Sequence, residues 1–475
     1  MSDHVISIIA LVLVFTIATF TAVHMGALAI VAAFVVGTVF VDQTADDIFG
    51  GFPGDLFVVL VGVTFLFAIA KNNGTVDWLV HASTRAVRGR IALIPWVMFL
   101  VTAVLTAVGA VVPAAVAIIA PIGMGFAARY RINPVLLGLF IINGASAGGF
   151  SPISVFGSIT NGVVARNDLP GNPTLLFTTS FVFNVAISVV VFFLFGGRQL
   201  IGRRADDLGG TTTPPERAKG HGGRSGGGLG GSVPSPSGGG GVAVHSPGRT
   251  AASTLTGPAP GPTPPADVDP ADAPPLRLNR VRLLTLLGLL SLVVGALFFD
   301  LNVGLLALTV TVVLSLLSPE SAKGAVDRCA WSTVLLVCGI VTFVGMMERI
   351  GTIDYLGTSV ADIGAPLLGA LLICLIGSVV SAFASTTGIL GALIPLAVPF
   401  LLGGEIGAVG LVIALAISAS VVDSSPISTS GALVTANAPE EQRDAVFRRL
   451  MVWGLSMAAI APPVTWLLFV APGWL

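Results

Sequence analysis

Charge is what this chain has least of. Only 10% of its 475 residues are Asp, Glu, Lys or Arg and 54% are hydrophobic, far from the profile of a soluble globular domain. Mean hydropathy is +0.95, so the solvent this composition fits is a membrane. Cysteine is nearly absent: Cys329, Cys338 and Cys374 follow no disulfide, redox or metal spacing and read as small core residues. The five histidines form no HExxH or similar cluster, which weighs against a metal-dependent membrane protease. A net charge of −1 gives no electrostatic footprint for nucleic acid. The residues before the first apolar run, Val5–Phe20, lack a basic stretch, so that run reads as a retained helix and not a cleaved signal. Alternation of the β-barrel type is missing too, and the spans are expected to be helical.

What the chain does have is apolar runs near the length of a bilayer core: Val5–Phe20, Leu56–Ala70, Thr174–Phe195, Leu283–Phe299 and Leu450–Val470. Between Gly196 and Val281 the hydropathy collapses into a Gly/Pro/Ser-rich tract that cannot bury a core. The expected organisation is therefore a first membrane repeat over 1–197, a disordered linker over 198–281, and a second membrane repeat over 282–475.

The two repeats resemble each other. SPISVFGSI begins at Ser151 and SPISTSGAL at Ser425, 274 residues later. The same offset lays Ala110 and its successors over Ala384 and its successors, and superposes Pro121 on Pro395, Pro152 on Pro426 and Gly157 on Gly431. Upstream, NGTVDWL ending at Leu79 matches IGTIDYL ending at Leu356 at an offset of 277. Blocks in the same order at nearly the same spacing indicate a duplication.

Each half divides into about five crossings and one hairpin that enters and leaves on the same side. The first-half crossings are expected near 5–23, 26–41, 56–70, 133–163 and 174–195, with the hairpin at 91–128. Those of the second half are expected near 283–299, 303–317, 332–347, 407–436 and 450–470, with the hairpin at 366–402. An odd number of crossings per copy inverts the second copy relative to the first, a transporter arrangement. With both termini outside and the linker cytoplasmic, all of the 23 basic residues except Arg166 and Arg349 fall inside.

Both SPIS blocks hold backbone that cannot continue a helix. Gly148-Gly149-Phe150-Ser151-Pro152 and Asp423-Ser424-Ser425-Pro426 combine helix-weakening residues with a proline that lacks its N–H. Broken backbone at membrane depth leaves N–H and C=O groups available as ligand atoms. The tip of the second hairpin, Ser385, Thr386, Thr387 and Gly388, opens a half-helix whose N–H groups suit an anion and whose hydroxyls suit a small cation. The candidate substrate site is thus Ser385, Thr386, Thr387 and Gly388, with Ser425, Ser428, Thr429 and Ser430 from the second break and Ser151, Ser154 and Ser158 from the first. Any one of these hydroxyls has an alternative in bonding back to its own helix.

Asp423 is the one carboxylate well inside an expected crossing, with no Lys or Arg at that depth, which makes it the candidate for cation coupling. A protonated core Asp, or an Asp capping its broken helix, is the competing reading. Ser385, Asn161 and Asn437 join it as candidate cation ligands, although either Asn also suits a helix cap. Asn143 lies beside the first break. Lys71 and Glu348 read as interfacial anchors, as do His24 and His81.

The inverted halves, hairpins and Gly/Ser/Pro breaks resemble the ion transporter superfamily near the divalent anion:sodium symporters, and most closely the bacterial MatC-like malonate/dicarboxylate carriers. The resemblance covers both halves and excludes the linker. Ser385-Thr386-Thr387, with Pro395 downstream, resembles the family's Ser-Asn-Thr tip, whereas the first tip has Val111-Val112-Pro113 there and offers no side-chain ligands. The resemblance implies an all-α, elevator-type secondary transporter, typically a homodimer, that imports a small dicarboxylate such as malonate or a C4 acid on a sodium or proton gradient. It implies no organic cofactor and no enzymatic activity, and placement in a bacterial inner membrane. Arginine far outnumbers lysine, in keeping with a GC-rich bacterial source. A cation/proton antiporter and a carrier of another organic anion are the alternatives on the same scaffold.

Overall fold

Hydrocarbon obliges a chain to satisfy its own backbone, and every regular element among the described residues is a helix. The computed structural model describes residues 3–86, 90–203, 278–299, 301–352, 355, 366–383, 386–402 and 406–473. The first half runs α1 (Asp3–Phe20), α2 (Met25–Val35), α3 (Ala45–Phe49), α4 (Gly54–Asn72), α5 (Thr75–Ala86), α6 (Ile94–Ala107), α7 (Val112–Tyr130), α8 (Pro134–Gly149), α9 (Val155–Arg166) and α10 (Pro173–Leu194). The second runs α11 (Arg280–Phe298), α12 (Val303–Leu317), α13 (Pro319–Ala322), α14 (Trp331–Arg349), α15 (Pro366–Phe383), α16 (Thr386–Leu402), α17 (Ala408–Val421), α18 (Thr429–Asn437) and α19 (Arg443–Thr465). Among the described residues, six helical stretches are long and apolar enough to cross a membrane, and shorter apolar helices lie between them.

The two crossings expected to be broken are broken. The stretch 133–163 is α8 and α9, parted at residues 150–154; the stretch 407–436 is α17, a 3-10 turn at Val422–Ser424, and α18. The glycines of the first break do not unwind, however, because Gly148 and Gly149 still close the last turn of α8. The hairpins are α6 with α7 and α15 with α16. Between the third expected crossing and the first hairpin, residues 75–86 form α5. Val76, Leu79 and Val80 stand at helical spacing, and Val76 and Val80 are buried.

Glycine decides which helices cross most closely. A Cβ on Gly26 of α2 would strike the Leu335 carbonyl of α14, and one on Gly339 of α14 would strike the Gly26 carbonyl. The same contact recurs between α4 and α12, where a Cβ on Gly62 would lie 2.7 Å from the Gly304 oxygen and one on Gly304 would lie 2.7 Å from the Val59 nitrogen. Small residues allow backbones to touch where no hydrophobic force drives helices together. Gly304 lies 278 residues after Gly26 and Gly339 lies 277 after Gly62, so the second helix of each half meets the fourth helix of the other. Gly304→Val should cost about 3 kcal/mol or more of stability by this overpacking; a wild-type melting temperature of the purified variant would refute the contact.

Two further pairings exchange the halves in the same way. α7 packs on α18 while α16 packs on α9. In the first helices, Ser7 Oγ lies 3.1 Å from Thr352 Oγ1, which His4 Nδ1 also meets at 3.1 Å. Its counterpart is Thr285 Oγ1, which accepts from Asn73 Nδ2 at 2.7 Å, while Asn73 Oδ1 accepts from Thr75. Asp47 forms a capping box with Thr44 at the start of α3, and the Thr44 hydrogen bonds hold its exposed carboxyl below the usual carboxylate range.

Candidate functional site

Each break is closed by the fourth residue of SPIS. Ser154 is the N-cap of α9: its Oγ accepts from Gly157 N at 3.4 Å and shares its single proton between the Ser151 carbonyl at 2.7 Å and the Gly149 carbonyl. Ser428 does the same for α18, accepting from Gly431 N at 3.3 Å and donating to Ser425 O at 2.6 Å and Asp423 O at 2.5 Å. The chain thereby doubles back until the carbonyl of the motif's first Ser lies against its Gly. A Cβ on Gly157 would fall on Ser151 O, and one on Gly431 would fall on Ser425 O. Proline, capping serine and glycine are one device used twice.

The two breaks differ in what they add to it. Asp423 stands 274 residues after Gly149, and Ser430 the same distance after Phe156. In the second break Ser430 Oγ donates to Asp423 Oδ2 at 2.6 Å, inside the protein. In the first break a Cβ on Gly149 would meet the Phe156 ring at 3.0 Å, so aromatic carbon occupies the corresponding place. Exposure differs in the same sense: Ile427 is 46% exposed and Thr429 is open, whereas their counterparts Ile153 and Val155 are buried.

The 3-10 turn that carries Asp423 packs on α8, and α9 packs along α16, so elements of both breaks and the second hairpin adjoin. Thr386 and Thr387 are buried at the start of α16. Ser381 Oγ donates to Ala419 O at 2.7 Å, and its remaining lone pair accepts from Thr386 Oγ1 at 2.9 Å. Ser381 therefore ties the hairpin to α17, a role the sequence reading missed because a single hydroxyl in an apolar arm gives no pattern. Gly454 of α19 is a second such residue, since a Cβ there would lie 2.8 Å from Ser425 Cα. Ser385 lies outside the described residues.

Several candidates have other partners. Gly388 faces Ile340 and Met25, where a Cβ would lie 3.0 Å from Ile340 Cδ1 and 3.5 Å from Met25 Sδ. Asn437 Nδ2 donates back to Leu433 O at 2.8 Å, and Asn143 Nδ2 donates to Ser188 Oγ at 3.1 Å. Ser158 makes only a long contact of 3.5 Å with Pro152 O. Asn161 is the contrasting case: its Nδ2 is buried without a hydrogen-bond partner among the described residues. The first hairpin turns at Gly109, whose φ of +117° and contact with Val63 require glycine, and Val111 precedes α7 with no side-chain cap. Its tip offers backbone alone. His24 Nε2 is bonded to Ser332 Oγ at 2.9 Å in a helix connection, and Lys71 is exposed at the end of α4.

No group of three or more His, Cys, Asp or Glu side chains among the described residues is placed to hold a metal ion, so a cation here would rest on hydroxyls, carbonyls and Asp423. No curated protein matches the chain. Residues 1–149 match the family model described as the dicarboxylate carrier protein MatC N-terminus; the stretch ends at Gly149, on the threshold of the first break. Over those 149 residues the chain is similar to a dicarboxylate carrier, which with the apolar helices points to transport in a multi-pass membrane protein.

Proposed function

We propose that the chain is a secondary active transporter that imports a small dicarboxylate, malonate or a C4 acid, on a sodium or proton gradient. The observation that carries this reading is the pair of matched helix breaks, each closed by its own SPIS serine, in a chain whose first 149 residues match a dicarboxylate carrier family model. On this reading each half crosses the membrane an odd number of times, which would make 1–197 and 282–475 inverted repeats with the site between them. The hairpins and broken helices would move as an elevator against the helices that meet at Gly26, Gly62, Gly304 and Gly339. The substrate carboxylates would be held by the N–H groups and hydroxyls of Thr386, Thr387, Ser425, Thr429 and Ser430 on one side, and by Ser151 and Ser158 on the other, with Ser154 and Ser428 taken up as caps. Asp423 would take the coupling cation, with Asn161 and Asn437 as further candidate ligands, and Gly388 and Ser385, the latter outside the described residues, stay candidates from the second hairpin. A homodimer in a bacterial inner membrane, with both termini outside and residues 198–281 cytoplasmic, completes the reading.

Proteoliposomes with an inward sodium gradient, an inward proton gradient or neither should accumulate labelled malonate or succinate under one gradient only. Thr386→Ala should lower that uptake about 10-fold, since a buried Ser381 hydroxyl then loses its donor. No uptake of either acid under any gradient would sink the assignment. Asp423 with its Ser430 donor favours one second reading, a cation/proton antiporter. Dissipation of a pH gradient by sodium with no organic anion present would select it.

A further inference from the structure

Away from the breaks, a cavity of about 770 Å³ opens at the end of the helical body where the linker leaves. Its polar wall is Arg131, Arg203, Arg449, Gln199 and Gln442, and none of its lining residues is acidic. The acids of the adjoining turn, Glu440, Glu441 and Asp444, do not line it. Three guanidinium groups around one space repel one another unless an anion joins them. Arg203 donates to Tyr130 O at 3.1 Å, which aims its head toward this junction; Arg131 and Arg449 are exposed and have no ion-pair partner among the described residues.

Two helix N-termini face the same space. α8 begins there with Asn133 and Pro134, and α19 begins there with Gln442, an N-cap whose side chain makes no capping bond. A 3-10 turn leads into that 23-residue helix and takes up the Arg443 N–H on the Glu440 carbonyl, and the positive end of its dipole adds to the arginine cluster. The lining also includes the apolar Leu136, Leu194 and Phe195, and Leu194 is 66% exposed. A basic recess with apolar residues in its lining suits an anion that carries a hydrocarbon chain.

We propose that this cavity binds a phosphate-bearing anion, the headgroup of an anionic lipid seated between the α7–α8 junction, the end of α10 and the start of α19. A free phosphate offers the same oxygens, so the test separates the two sources. The delipidated full-length chain is titrated with phosphatidylglycerol, with phosphatidylcholine and with inorganic phosphate, and bound species are counted by native mass spectrometry. The variant is Arg131→Asn with Arg449→Gln; Asn is chosen because residue 131 has a φ of +52°, a left-handed conformation that Asn accepts. Arg280→Gln, a basic residue outside the cavity, is the control.

Phosphatidylglycerol is expected to bind the wild type and the control alike, and the double variant about 10- to 30-fold more weakly. Displacement of the lipid by millimolar inorganic phosphate would keep the anion site and assign it to the free ion. Equal binding by wild type and double variant, or phosphatidylglycerol no tighter than phosphatidylcholine, would overturn the proposal.

Discussion

Gly431→Ala and Gly157→Ala are each expected to lower uptake about 100-fold or more, a loss equivalent to about 3 kcal/mol of overpacking in a break that has no slack. The added carbon of Gly431→Ala would lie on Ser425 O, 2.5 Å from Ser425 C and 3.0 Å from Pro426 N. That of Gly157→Ala would lie on Ser151 O, 2.7 Å from Ser151 C and 2.9 Å from Phe150 O. All are backbone atoms held by a capping serine, with a proline ring beside them in both breaks. A side chain could rotate away; a capped backbone turn moves only by releasing Ser154 or Ser428 from its hydrogen bonds. Gly125→Ala is the control, because a Cβ there meets nothing within 4 Å and helical Ala is favoured over Gly. The measurement is malonate uptake normalised to the monodisperse protein recovered from the membrane. Wild-type uptake by Gly431→Ala would mean that the doubled-back turn is not what the motif is for.

The repetition of Ser-Pro-Ile-Ser was legible because proline and glycine are local instructions: each acts on its own backbone whatever surrounds it. The breaks at 150–154 and 422–428 follow from them, and so do the two hairpins, whose arms are bounded by short apolar runs. The glycine crossings were not legible. Gly26, Gly62, Gly304 and Gly339 look like ordinary small residues until the partner helix is known, since the backbone each one admits comes from the other half. Helix α5 was hidden for a different reason, because its Asp77, Arg85 and neighbouring loop charges mask an apolar face of only a few residues. Asp423 was visible as a lone carboxylate, but its partnership with Ser430 depends on a turn that brings residues seven apart to 2.6 Å. Neither Ser381 nor Gly454 announces itself at all in sequence, for each acts on a neighbour distant along the chain.

Asp423→Asn is expected to lower gradient-driven malonate accumulation about 100-fold or more while counterflow exchange of labelled for unlabelled malonate stays within about 3-fold of wild type. Asn has the shape of Asp, and its Oδ1 still accepts from Ser430 Oγ, so the turn and the Ser428 bond to the residue 423 carbonyl are kept. What disappears is the charge, and with it the reason for a cation to enter with the substrate. Ser430→Ala removes one donor and keeps the charge, so its effect should be smaller, about 10-fold, and should fall on the cation concentration needed for half-maximal uptake. The first break offers no substitute, because Gly149 and the Phe156 ring stand where Asp423 and Ser430 do. If coupling runs through the breaks, it would rest on Asp423, since the first break has no carboxylate at the matching position. If Asp423→Asn accumulates malonate as the wild type does, the buried carboxylate is a structural cap on the 3-10 turn and the coupling ion is held by hydroxyls and backbone alone.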